Sequence, residues 1–392
     1  MTLCACPACR GRDLATLYHL PAIPVQSVVL VDTAEEALSY PKGELTLTHC
    51  RSCGFLFNAT FDADLVDYSK MTEESQHFSG TFNRFARELA AEIAARRPLA
   101  GKLTLEIGCG KGDFLEELVR QTGTRALGID PGHVPGREAE ALAPVSGEAA
   151  IIRDYFSPSL VQETPDLIIC RHTLEHIAEV GQFMHYVVET SGGGRDVQVM
   201  FETPDALRVL REGAFWDIYH EHCSYFSIGS HARLFRRVGL DVERSYLAFG
   251  DQYIIQYATP GVGQPAEDED DLDEIRAAAE RFPAHVSEIR AHWTRRISEA
   301  RADGQDVALW GGGSKAVAFL TTLGLDDDVT HVIDINAFKQ GKFIPGTTRR
   351  VSAPEALLDA PPGLVIAMNP VYLSEIRASV AELGLSAEVC AL

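Results

Sequence analysis

The stretch LTLEIGCGKGDFLEELV, residues 103–119, reads as an apolar strand, a glycine turn and an amphipathic helix. Glu106 closes the strand, Gly108 and Gly110 form the turn, and Gly112 stands at the helix entrance. Glycines let a backbone approach a ligand closely, and the helix start offers N–H donors. The spacing is G-x-G-x-G, not the G-x-G-x-x-G of dinucleotide folds, and a carboxylate just before the turn repels a pyrophosphate. Glu106 suits a cationic amino group instead. The next strand ends LGID at Asp130, where a carboxylate can accept hydrogen bonds from ribose hydroxyls.

Working outward, RALGID, DLIICRH and VQVMFE are further strand-like runs separated by helical segments. This alternation predicts a doubly wound α/β unit over roughly 80–250. Phe82, Phe85, Leu89 and Ile93 give its first helix, and the polar run DYSKMTEESQHFSG (67–80) is expected to be a mobile lead-in. The acidic run EDEDDLDE (267–274) is expected to be a solvated linker or helix start. From Asp306 a second βαβ alternation opens with DVALWGGGSKAVAFLTTLG, continues with HVIDIN and ends after GLVIAMNP. The expected division is a module over 1–65, a core over 66–260, a linker and helix over 261–305, and a Rossmann-like unit over 306–392.

Five of the nine cysteines fall in the first 53 residues. Cys6–Cys9 and Cys50–Cys53 form two Cys-x-x-Cys knuckles, and four thiolates favour a structural zinc ion in a closed site. Cys4 and His49 lie near enough to be rival ligands. The separation between the knuckles points to a zinc-pinned β module, not a DNA reader. Lys plus Arg number 35 against 56 Asp plus Glu, a net charge of −21 that opposes nonspecific binding to nucleic acid or anionic membrane. No run approaches the ~20 apolar residues of a membrane span, and the cytoplasm is the expected address.

With Glu106, Gly108, Gly110 and Asp130 in these places, the sequence resembles the class I S-adenosylmethionine methyltransferases. The resemblance implies that cofactor and adds Pro131, Asp154 and Tyr155 near its nucleoside, with Arg171 and His172 below the methyl donor. Cys109, inside the turn, joins the cofactor-binding set, although its side chain reads as a small buried group.

A second stretch, WDIYHEHCSYF (216–226), concentrates histidines, a glutamate and aromatics. Methylation at carbon needs a carbanion equivalent, most readily an enolate, and hence a base near neutrality and a donor for the oxyanion. A four-cysteine module, a class I core, this Y-H-E-H element and a Rossmann-like tail together resemble the zinc-containing sugar C-methyltransferases, which act on nucleotide-linked 4-keto-6-deoxy sugars. Carried over by position, His222 is the general base, with Glu221 and Tyr219 orienting it or polarising the ketone. His220 and Tyr225 are further substrate contacts, and Tyr68 is a lid. In the tail, Gly313, Ser314 and Lys315 with Lys339, Lys342 and Arg349 are expected to hold a diphosphate. A non-sugar acceptor, or an NAD site at the tail's glycine turn, are the alternatives. The expected partner is a small molecule, and the expected state a monomer or small homo-oligomer.

Overall fold

A computed structural model describes residues 2–29, 31–69, 72–134, 151–194 and 196–392. The N-terminal part consists of β1 (Leu14–Pro24), α1 (Ala34–Ser39), β2 (Lys42–Cys50) and β3 (Leu56–Asn58). The strands are antiparallel, in the order of the chain. A reciprocal Thr33/Glu36 capping box starts the short α1, supplying partners for its otherwise orphaned first N–H groups.

The next part begins with α2 (Gly80–Arg96), capped by the Ser79 hydroxyl. Its buried residues Phe82, Ala86, Leu89, Ala90 and Ile93 follow the helical period. It continues through β4 (Leu103–Ile107), α3 (Asp113–Thr122), β5 (Arg125–Ile129), β6 (Ile151–Ile152), β7 (Leu167–Arg171), α4 (Val180–Thr190), β8 (Gln198–Pro204) and α5 (Ala206–Glu212). After β9 (Ser224–Tyr225) and α6 (Ile228–Arg237), β10 (Leu240–Ala248) and β11 (Tyr253–Pro260) complete it. Seven strands form one sheet in the order β10-β11-β8-β7-β4-β5-β6. The five from β8 to β6 are parallel, and β11 is antiparallel to both its neighbours. This is the class I methyltransferase fold. The short β9 leaves this sheet and pairs with β3, so the second signature stretch ends in the N-terminal module's sheet.

The 31-residue helix α7 (Leu272–Ala302) follows, burying Ile275, Phe282, Val286, Trp293 and Ile297. The acidic run leads into the start of this helix as expected, with Glu267, Asp268, Asp270, Asp273 and Glu274 exposed, but two of its acids are not solvated. Glu269 is buried and paired with Arg236, and Asp271 pairs with Arg233 while accepting from the Gly229 N–H. Two arginines on α6 explain this, because each draws a carboxylate into the junction. The tail is β12 (Val307–Trp310), α8 (Ser314–Leu323), β13 (His331–Ile333), β14 (Val351–Ser352), β15 (Leu364–Ala367), α9 (Leu373–Glu382) and β16 (Glu388–Ala391). Its sheet, β14-β13-β12-β15-β16, is wholly parallel. No helix among the described residues is long and apolar enough to cross a membrane.

Candidate active site

In open parallel sheets ligands collect outside the carboxyl ends of the strands, where the strand order reverses. Both sheets place that edge on one cleft of about 640 Å³. Its walls include Glu106 and Gly108 after β4, Arg171 and His172 after β7, and Gly311 and Asn369 after β12 and β15. Gln26 from the N-terminal module adds a third side.

On the core side, Gly108 and Gly110 adopt φ of 72° and 55°, conformations that a side chain strains. A Cβ on Gly108 would lie 1.8 Å from the Thr173 hydroxyl, so only glycine fits. Asp130 accepts from the Gly110 N–H (2.8 Å) and the Gly132 N–H (2.7 Å), which locks the turn to β5. Glu106 is buried, and its Oε2 has no partner among the described residues. Burial pushes its pKa up to about 8, with Arg171 opposing. A buried carboxylate aimed at a cleft with an oxygen free is suited to a cationic amino group. Glu106, the glycine turn and Asp130 therefore fit S-adenosylmethionine.

Glu202 lies beneath this floor between Arg171 and His172, with His172 Nε2 3.0 Å from Glu202 Oε1. Against the cost of burial, the two cations hold Glu202 at about 2, and Glu202 in turn lifts His172 to about 9. His172 also stands at φ 49°, a strained conformation for a non-glycine residue, fixed by its N–H bonding the Glu202 carbonyl at 2.9 Å. Pro131 and Tyr155 line the cleft. The Asp154 side chain does not, since it is exposed and turns back to the Tyr155 N–H. Cys109 lines the cleft, but its side chain is buried, with a Cβ on Gly128 only 2.5 Å from its Sγ.

The second signature stretch supplies the opposite wall. His222 packs edge-on to His176 and to Tyr219, at 4.7 and 4.6 Å between ring centroids. Burial, with His176 adding to it, pushes the His222 pKa well below the usual imidazole value, so the ring is neutral and can take a proton. Tyr68 sits over the pair, its hydroxyl 3.2 Å from His176 Nδ1. Tyr219 donates to Asp217 at 3.1 Å. Asp217 is also bound by Arg208 at 2.7 Å and Lys315 at 3.0 Å.

Three expectations for this stretch need correction. Glu221 lines the cleft but does not bond His222; its carboxylate accepts from the Ser27 N–H (2.9 Å) and hydroxyl, binding the N-terminal module. His220 points the other way, wedged against Gly43 and Phe61 outside the cleft. The Tyr225 hydroxyl is used within the loop, accepting from the Tyr219 N–H and donating to its carbonyl. The backbone bends at His220 and Glu221, so the alternation of a strand does not hold across this stretch and His220 and His222 part company.

From the tail, Gly313, Ser314, Lys315 and Lys339 line the cleft. Lys342 and Arg349 do not: Lys342 is bound by Asp32, and Arg349 by Asp326 and the Val329 carbonyl. In a chain with a large excess of acid, these surface cations find local carboxylates before they reach a ligand.

Outside the cleft, the Sγ atoms of Cys6, Cys9, Cys50 and Cys53 lie within 4.8 Å of one another. The Cys6–Cys53 and Cys9–Cys50 separations are 3.8 and 3.6 Å. Zn–S bonds of about 2.3 Å give tetrahedral edges near 3.8 Å, so the four thiols fit a zinc ion. Neither rival belongs to the group: Cys4 is exposed and directed to the Thr2 carbonyl, and His49 is buried elsewhere.

The methyltransferase-domain family model matches residues 76–245, and the model of the C-methyltransferase C-terminal domain matches 256–386. Together these matches support an S-adenosylmethionine-dependent C-methyltransferase. The C-methyltransferase NovU of Streptomyces niveus is 29% identical over 398 residues, spanning 95% of this chain and 90% of that one. The ubiquinone biosynthesis O-methyltransferase of Pseudomonas aeruginosa UCBPP-PA14 is 36% identical over 106 residues, only 26% of this chain and 45% of that protein. Among solved structures, magnesium protoporphyrin IX methyltransferase of Synechocystis PCC 6803 aligns with 16% identity and a TM-score of 0.37, covering 46% of this chain and 84% of that one.

Sequence reasoning missed several groups in this methyltransferase's cleft. Asp217 stood inside the quoted stretch, two positions before Tyr219, and an acid beside a tyrosine was the signal available. Glu202, Arg208 and Ser27 carried none, since their importance comes from partners distant in the chain. His176 is a further cleft residue, the edge-on neighbour of His222.

Proposed function

We propose that this C-methyltransferase removes the proton on a carbon beside the ketone of a nucleotide-linked keto-deoxysugar, and that the enolate carbon receives the methyl group. One observation carries the reading: a neutral imidazole, His222, faces the same cleft as the unpartnered carboxylate of Glu106. S-adenosylmethionine, when bound, supplies an electrophilic methyl on sulfonium. Glu106 and Asp130 hold and orient it, and Tyr68 and His176 cover the base. The nucleotide half of the acceptor lies against the tail, at the glycine turn 311–313 beside Asp334 and Lys339. Asp334 fixes that turn by accepting from the Gly312 N–H at 2.9 Å, which supports the reading. In this scheme residues 1–65 are a zinc-pinned support, 66–260 the donor and base domain, 261–305 the junction, and 306–392 the substrate domain. Four thiolates leave zinc no open position, so it takes no chemical part. The free thiols suit a reducing compartment, the cytoplasm.

The test is incubation with methyl-labelled S-adenosylmethionine and a panel of nucleotide-linked 4-keto-6-deoxy sugars. Label in a new C–C bond is the expected result. Absence of turnover across the panel, with turnover on a non-sugar ketone, would overturn the sugar assignment.

A further inference from the structure

The enolate oxygen needs a hydrogen-bond donor, and Tyr219 is poorly placed to be one. Lys315 and Arg208 hold Asp217 far below the usual carboxylate range despite its burial, so Asp217 is ionised and can only accept. The single hydroxyl proton of Tyr219 is therefore committed to Asp217. Most other cations facing the cleft are also engaged. Arg171 and His172 bind Glu202, Lys111 binds Glu74 and the Thr72 carbonyl, and Arg208 binds both Asp217 and Glu212. Lys339 faces Asp334, on the nucleotide side.

Lys315 is different. Its ammonium has three N–H donors and gives one to Asp217, while the side chain lies in the cleft and keeps 17% exposure. It reaches the catalytic loop through a short chain of contacts: Lys315 Nζ to Asp217 at 3.0 Å, Asp217 to the Tyr219 hydroxyl at 3.1 Å, and the Tyr219 ring to His222 at 4.6 Å. The preceding residue is anchored as well, because the Ser314 and Ser27 hydroxyl oxygens lie 2.7 Å apart, and Ser27 binds Glu221. The first turn of α8 is thus fastened to the loop at Asp217 directly and at Glu221 through Ser27, both ahead of the base in the chain.

We infer that Lys315 is a catalytic residue, the donor that holds the enolate oxygen, with Asp217 as the positioning residue that aims it. The inference rests on the enolate reading above. In the step concerned, His222 takes the proton, the C–H electron pair becomes the carbon–carbon double bond, and the carbonyl π pair moves to the oxygen facing the Lys315 ammonium. The tail domain then contributes to the chemistry as well as to substrate binding.

The test isolates enolisation from methyl transfer. The enzyme, saturated with S-adenosylhomocysteine, is incubated in D₂O with thymidine-diphosphate-linked 4-keto-6-deoxyglucose, and exchange of the proton beside the ketone is followed by NMR. Lys315→Met is expected to slow exchange by about 10²–10³-fold, with a smaller change in KM and unchanged S-adenosylhomocysteine affinity. Lys315→Gln gives the same readout should the methionine variant fold poorly. A role confined to pairing with Asp217 predicts recovery in the Asp217→Asn/Lys315→Met double variant, whereas an oxyanion role predicts none. Exchange within about threefold of wild type in the single variants, or recovery in the double, would overturn the assignment and leave the enolate reading standing. Failure of the wild-type enzyme both to exchange and to methylate any sugar of the panel would remove that reading, and this inference with it.

Discussion

The N-terminal module holds the loop of the proposed base mainly by backbone pairing, whereas the tail domain holds it by side chains. β3 pairs with β9 through Leu56↔Tyr225 and Phe57↔Ser224, and the Asn58 N–H bonds the Cys223 carbonyl at 3.0 Å. Those bonds engage the three residues that follow His222 and depend on no side-chain chemistry. The tail reaches the same loop through Lys315–Asp217 and Ser314–Ser27–Glu221, contacts that a single substitution removes. A backbone ladder fixes register, because a one-residue slip would turn every side chain to the wrong face. Charged side-chain contacts fix where a donor points and can be changed singly.

The largest way to break this contrast is to remove the zinc ion proposed for the four cysteines. Structural zinc contributes on the order of 10 kcal/mol to the folding of small modules, and Cys53 lies three residues before β3. Chelation, or Cys50→Ser, is expected to abolish hydrogen-exchange protection around Leu56–Asn58 and Ser224–Tyr225 and to stop turnover, while S-adenosylhomocysteine still binds the core. Retained protection at β9 in metal-free protein would show that the ladder stands without its pin.

Next in size, His222→Asn is expected to lower kcat by about 10²–10⁴-fold with cofactor affinity unchanged. In the wild type the base must be unprotonated and its pKa lies well below 6.5, so activity should be level near neutrality and fall only as pH drops through that lowered value. An acid limb at or above pH 6.5 would point to a different base.

A smaller effect sharpens the core's independence from both flanks. Free Glu106 holds its proton up to about pH 8, and an ammonium partner favours the ionised form. S-adenosylmethionine binding should therefore release close to one proton per site between the ordinary carboxylate pKa and pH 8, seen as a buffer-dependent enthalpy in calorimetry. Glu106→Gln should abolish the release. The smallest effect is Ser27→Ala, which cuts the bridge between Glu221 and Ser314. A loss of about 1–3 kcal/mol in stability is expected, read as a lower thermal midpoint, because the buried Glu221 carboxylate loses both its hydroxyl donor and its link to the tail.

The donor turn was legible from sequence because its requirement is local. Glycines at positive φ between an apolar strand and a helix leave a pattern that no distant contact is needed to explain. The loop WDIYHEHCSYF was legible in composition only. Which of its side chains meet the cleft depends on β9 joining a strand more than 160 residues earlier, and on Ser27 claiming Glu221. His222 was picked out by its chemistry, while His220, two positions earlier and of the same type, is turned away. Lys342 and Arg349 misled because charge was counted without its partners, Asp32 and Asp326. Within the acidic run only Glu269 and Asp271 departed from expectation, drawn inward by Arg236 and Arg233.

The order in which the walls of the cleft are synthesised has a consequence of its own. Residues up to Pro260 already contain the donor turn and the proposed base, but Gly311, Lys315 and Asn369 are translated later. Because domains generally fold as units during synthesis, a nascent chain can hold its methyl donor before it has anywhere to seat an acceptor. Until that last wall arrives the donor side lies open to solvent, and productive methyl transfer waits on completion of the tail.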